Sequence, residues 1–133
     1  MGARGAGPFE NDDAADWIVE TVRTASWEAV RQTLVGVADT ESYVEAPAGS
    51  SAMAAAALVA ATTGDSAVFT IPEDAASWVQ RQTKPDESMR NLARRTVDRV
   101  VRDSEVRELW QDSPDLEQWL AVANDIASRL STN

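Results

Sequence analysis

Four carboxylates fall within seven residues near the start of the chain, Glu10, Asp12, Asp13 and Asp16, with Asn11 among them. Oxygen ligands at this density suit hard cations such as magnesium, manganese or calcium, which need no histidine, and a metal so held can activate water for hydrolysis. The spacing lacks the glycine turn and distal glutamate of a calcium loop. Asn11, Asp12 and Asp13 suit a helix start better, because their oxygens accept unpaired amide protons and their charge complements the positive end of the helix dipole. Neither a metal nor any other cofactor is therefore expected. A metal-dependent hydrolase built on Glu10, Asp12, Asp13 and Asp16 stands as an alternative.

Other reactive residue types are scarce. The chain has no cysteine and no histidine. That excludes thiolate nucleophiles, disulfides and cysteine-based metal sites, and it removes the commonest general base. Lys84, the single lysine, lies between Thr83 and Pro85 and reads as an exposed linker residue. Gly49, Ser50 and Ser51 could offer amides to an anion, but a plain helix cap explains them equally well and no phosphate-cradling motif is complete. Arg90, Arg94, Arg95, Arg99 and Arg102 form a cationic row, the arrangement by which proteins meet phosphate backbones. Asp98 and Asp103 interrupt that row, interleaved aromatics are missing and the net charge is −10, so nucleic-acid binding through it is a disfavoured alternative. No catalytic residue is assigned, and a non-catalytic role is preferred.

These residues need a scaffold, and the apolar pattern supplies a helical one. With 133 residues, 44% of them hydrophobic, and five tryptophans, the chain is expected to fold as one domain over 1–133, with a glycine-rich arm over 1–10 packed on it. Ala14, Ala15, Trp17, Ile18 and Val22 recur at helical spacing, leaving Asp12, Asp16 and Glu20 in a row outside. Ser26 is expected to cap a second helix with an inner stripe of Trp27, Val30, Leu34 and Val37. A loop over 39–50 then leads to a third helix capped by Ser50 and Ser51, nearly all alanine from Ala52 and stopped by Gly64.

No charge appears from Ala46 to Gly64, yet the strongly apolar part is shorter than the ~20 residues a membrane span needs. This segment reads as the central helix of a bundle. Val68, Phe69 and Ile71 read as an ordered connector, since one such run cannot make a sheet. Pro72 opens a fourth helix and Asp86 caps a fifth. A short helical turn around Val106, Leu109 and Trp110 and a last helix opened by Ser113, Pro114 and Asp115 complete the pattern. The expected fold class is all-α, a compact bundle of six or seven helices around the alanine-rich one.

Charge is unevenly placed. Residues 1–47 carry nine acids and three bases, whereas 73–108 carry eight of each. The favoured function is therefore a protein-interaction module whose acidic N-terminal face, Phe9, Glu10, Asn11, Asp12, Asp13, Asp16 and Trp17, meets a basic partner. An inhibitor or immunity-like role is one form such a module takes. No membrane association is expected, a cytoplasmic location is, and the sequence leaves the oligomeric state open.

The opening residues carry a resemblance as well. Gly2, Gly5, Gly7-Pro8-Phe9, Asn11-Asp12-Asp13-Ala14 and Asp16-Trp17 resemble the start of a family of small bacterial proteins catalogued as domain of unknown function forty-two fifty-nine. The likeness continues through Tyr43 to Pro47, the alanine helix, Leu109-Trp110, Trp119-Leu120 and Arg129-Leu130, with Arg4 standing where an aromatic is expected in relatives. Membership implies no established activity.

Overall fold

The computed structural model describes residues 5–63 and 70–131. Within them the chain forms seven α-helices and no strand: α1 (Asp12–Thr21), α2 (Glu28–Ala38), α3 (Ala46–Ala60), α4 (Glu73–Arg81), α5 (Glu87–Arg102), α6 (Glu105–Gln111) and α7 (Leu116–Leu130). A 3₁₀ turn, Ala61–Thr63, extends α3. The stop expected at Gly64 and the Val68-Phe69 connector lie outside the described residues.

Helix α3 is the axis, touching all six of the other helices. Every residue from Ala52 to Ala60 is buried. A helix surrounded on all sides needs no polar stripe, and alanine lets neighbouring backbones come close while keeping high helix propensity. Met53, Leu58 and Val59 fill the wider gaps, against Leu34 of α2, Val97 and Val100 of α5 and Ile126 of α7 within one core. The arm joins the same core through Ala6 and Phe9, with Pro8 also buried.

Three tryptophans fasten the α1–α2 side. Trp17 donates its indole N–H to Thr33 Oγ1 across the pair at 2.9 Å. Trp78 of α4 is fully buried and donates to the Thr24 carbonyl at 2.8 Å, while Trp27 donates to the Thr83 carbonyl at 2.6 Å. Trp27 and Trp78 meet edge to face, with centroids 5.0 Å apart, a favoured aromatic geometry. Each ring thus buries its apolar body and satisfies its one donor.

Several helix starts differ from the sequence reading. Helix α3 begins at Ala46, before the expected Ser50–Ser51 cap, because Pro47 sits in its first turn, where a missing N–H costs nothing. Its leading amide is capped from outside: Glu105 Oε1 of α6 accepts from Ala46 N at 2.7 Å. Helix α7 begins at Leu116 with Asp115 at the cap, since Ser113 instead closes a turn, donating to the Trp110 carbonyl and accepting from Asp115 N. Trp27, not Ser26, occupies the cap position of α2, with Ser26 Oγ reaching Glu28 N at 3.3 Å. Asn11 and Asp86 cap α1 and α5 as expected, accepting from Ala14 N and Met89 N.

Two helical glycines separate propensity from packing. Gly36 on α2 is exposed, with open space where a Cβ would stand. A Cβ on Gly49 of α3 would lie 2.8 Å from Val106 Cγ2 and 3.4 Å from Val44 Cγ1. Gly36→Ala should raise stability by about 0.5–1 kcal/mol in urea denaturation. Gly49→Ala should lower it by about 1–2 kcal/mol, overpacking outweighing the propensity gain. Equal effects at both sites would mean α6 does not press on α3 there.

Candidate functional site

A partly enclosed slot of about 110 Å³ opens where the arm, α1, α3, α6 and α7 meet. Asn11, Asp12 and Asp13 line it from the start of α1, beside Ala6, Gly7 and Pro8 of the arm. Ala46, Ser50 and Met53 line it from α3. Val106, Leu109 and Trp110 of α6, with Trp119 and Val122 of α7, form the apolar wall. Trp110 and Trp119 lie nearly parallel, 11° apart with centroids separated by 6.4 Å. The wall is thus apolar and aromatic, and the α1 side carries carboxylates.

Helix α6 is short and is held from several directions. Ser104 is fully buried; its hydroxyl donates to the Val100 carbonyl at 2.7 Å and accepts from Arg107 N at 3.1 Å, so it joins the end of α5 to the start of α6. Glu105 N donates to the Val44 carbonyl at 2.9 Å while its carboxylate caps α3. A negative charge on that cap also meets the positive end of the α3 dipole. Glu105→Ala should therefore cost about 1–2 kcal/mol, and Glu105→Gln, which keeps the acceptor, less than half of that by thermal or urea melting.

Beside this contact Tyr43, the single tyrosine, donates to Glu108 Oε1 at 2.8 Å. Its phenol is pushed up to about 12 by desolvation of the hydroxyl, by the hydrogen bond to Glu108 and by the negative charges of Glu108, Glu105 and Asp103. Because the folded value lies above the unfolded one near 10, the stabilisation is complete below pH ~10 and fades as pH rises through the folded value. Tyrosinate absorbance should titrate with a midpoint near 12. In Glu108→Gln the midpoint should move down towards 10.

The structure separates the residues of the expected N-terminal face. Asn11, Asp12 and Asp13 come together on the slot. Phe9 is buried in the core, and Asp16 is exposed farther along α1. Glu10 is exposed with its carboxylate over Gly5 and Gly7, where a Cβ on either glycine would collide with it, and its amide donates to the Gly7 carbonyl at 3.1 Å. Trp17 faces α2 through Thr33. Among the described residues no group of three or more Asp or Glu is placed to hold a metal ion.

Four of the five α5 arginines are engaged with the protein itself. Arg99 donates to the carbonyls of Thr40 and Ser42, at 2.6 and 2.9 Å. Arg95 pairs with Asp39 at 3.0 Å, Arg94 donates to Ser131 Oγ, and Arg90 reaches the Pro85 carbonyl. No helix among the described residues is long and apolar enough to cross a membrane.

Residues 2–122 match the sequence model of the family described as Domain of unknown function (DUF4259). The chain belongs to this family. No match is found among curated proteins or among solved structures. The matched segment contains α1 to α6 and the start of α7 as far as Val122, so every slot residue lies within it. Trp110, Trp119, Met53, Val106 and Val122 carry no site signal in the sequence, and Ser50 reads there as a helix cap or an anion contact, not as part of an apolar slot. Apolar residues at helical spacing read as core, and only the third dimension shows that this part of the core is open.

Proposed function

We propose that this DUF4259 protein is a non-catalytic interaction module, one helical domain with its arm laid on it, whose acidic N-terminal face receives a basic protein partner. The observation that carries this reading is the position of Asp12 and Asp13 at an accessible slot with an apolar wall. Carboxylates beside apolar surface give a partner both electrostatic steering and a place to bury a side chain. The exposed Asp16 and Glu20 extend the negative surface along α1, and the chain as a whole carries −10. The exposed Glu10 on the arm adds to this charge, while Phe9 and Trp17 anchor the face to the domain from beneath. An inhibitor or immunity-like activity is one way such a module would act.

The reading favours interaction over hydrolysis because the carboxylates are dispersed along α1 and the arm. It favours α1 over α5 because most of the α5 arginines bind groups of the same chain. The test uses immobilised wild-type protein and a variant with Asp12, Asp13 and Asp16 all changed to Asn, each challenged with lysate of the source cell. Basic proteins retained by wild type, released by salt and absent from the variant are the expected result. Stoichiometric metal in the wild-type protein that the variant lacks would replace this reading with the hydrolase.

A further inference from the structure

Three of the five tryptophans donate their indole N–H within the protein, and the two that line the slot have no acceptor among the described residues. Among the described residues Trp119 has no acceptor for its N–H, although only 4% of the residue is exposed. No fully enclosed side-chain nitrogen or oxygen lacks a partner among those residues, so this N–H is not sealed off, and Trp119 is one of the residues that line the slot. A buried indole ordinarily finds an acceptor. A tryptophan with an unmatched donor, two acidic residues and apolar side chains thus line one small volume.

We infer that the slot receives a single arginine side chain of the partner, its guanidinium against Asp12 and Asp13, its methylene stem on the apolar wall, and its own main-chain carbonyl accepting from Trp119. This deepens the interaction reading above and rests on it. Arginine fits each part of the slot. Its stem is apolar and its planar head pairs side by side with carboxylates. Guanidinium also stacks on indole, and Trp110 and Trp119 are the aromatic components of the lining. The 110 Å³ volume suits one side chain and not a helix or strand. The acidic α1 side complements the cation in charge, as the chain's net −10 does at longer range.

The probe is N-acetyl-arginine amide, which carries the cation, the stem and the carbonyl, titrated into protein with ¹⁵N-labelled tryptophan. The indole N–H resonances of Trp110 and Trp119 should shift while those of Trp17, Trp27 and Trp78 hold. The dissociation constant should be on the order of 1 mM, as suits so small a ligand. N-acetyl-norleucine amide, which keeps a stem without a cation, should bind at least about tenfold more weakly, as should the arginine probe to Asp12→Asn/Asp13→Asn. Equal binding of the norleucine or lysine analogue, or shifts confined to other indoles, overturns the proposal on wild-type protein alone.

Ser50→Leu, checked for an unchanged melting temperature, separates this from the broader reading. Filling the slot should abolish probe binding and capture of basic proteins together. If capture survives in Ser50→Leu but fails in the triple Asn variant, the acidic face stands and the arginine slot does not. If the probe binds as described while no basic protein is retained, the slot stands and the partner reading falls.

Discussion

The structure depends on one packing constraint: α3 is enclosed from Ala52 to Ala60, so its neighbours must fit against alanine-sized side chains. Ala52, Ala54, Ala55, Ala56, Ala57 and Ala60 are all completely buried. Close approach maximises dispersion contacts between neighbours but leaves no room for added volume. The same constraint operates at the start of the helix, where Gly49 admits Val106 and lets α6 lie across it. Glu105 then fixes that crossing by capping the helix it lies on. The slot is the remainder of this arrangement, a place where Ala46 and Ser50 are too small to fill the space between the arm and two tryptophans.

Tryptophan has two uses in the molecule. On the α1–α2 side, Trp17, Trp27 and Trp78 connect elements distant in sequence through a hydrogen bond each, and Trp27 with Trp78 adds an aromatic contact. On the α6–α7 side, Trp110 and Trp119 are stacked, and their indole donors are without partners among the described residues. The first group is structural in the plain sense that its polar handles are satisfied. The second has capacity left over, and it sits beside the acidic start of α1.

Much of the architecture was legible because helical periodicity and caps are local signals. Asn11 and Asp86 announce α1 and α5, and the alanine run marks the central helix without tertiary information. The start of α3 was not legible, since its leading amide is capped by Glu105, 59 residues away in sequence. Ser104 was missed because a lone serine between charged residues carries no pattern until its burial is seen. At the slot, the carboxylate half could be read as Asn11, Asp12 and Asp13. The apolar half could not, because the residues forming it, Trp110, Trp119, Met53 and Val122, have the same spacing as core residues that leave no opening.

The connection between α2 and α3 has a mechanical consequence. Arg99 grips the carbonyls of Thr40 and Ser42, Arg95 holds Asp39 where α2 ends, and the Val44 carbonyl is tied to α6. A seven-residue link fastened at so many points is built as a strut, not a hinge, and it ties the end of α2 to α5 and the approach to α3 to α6.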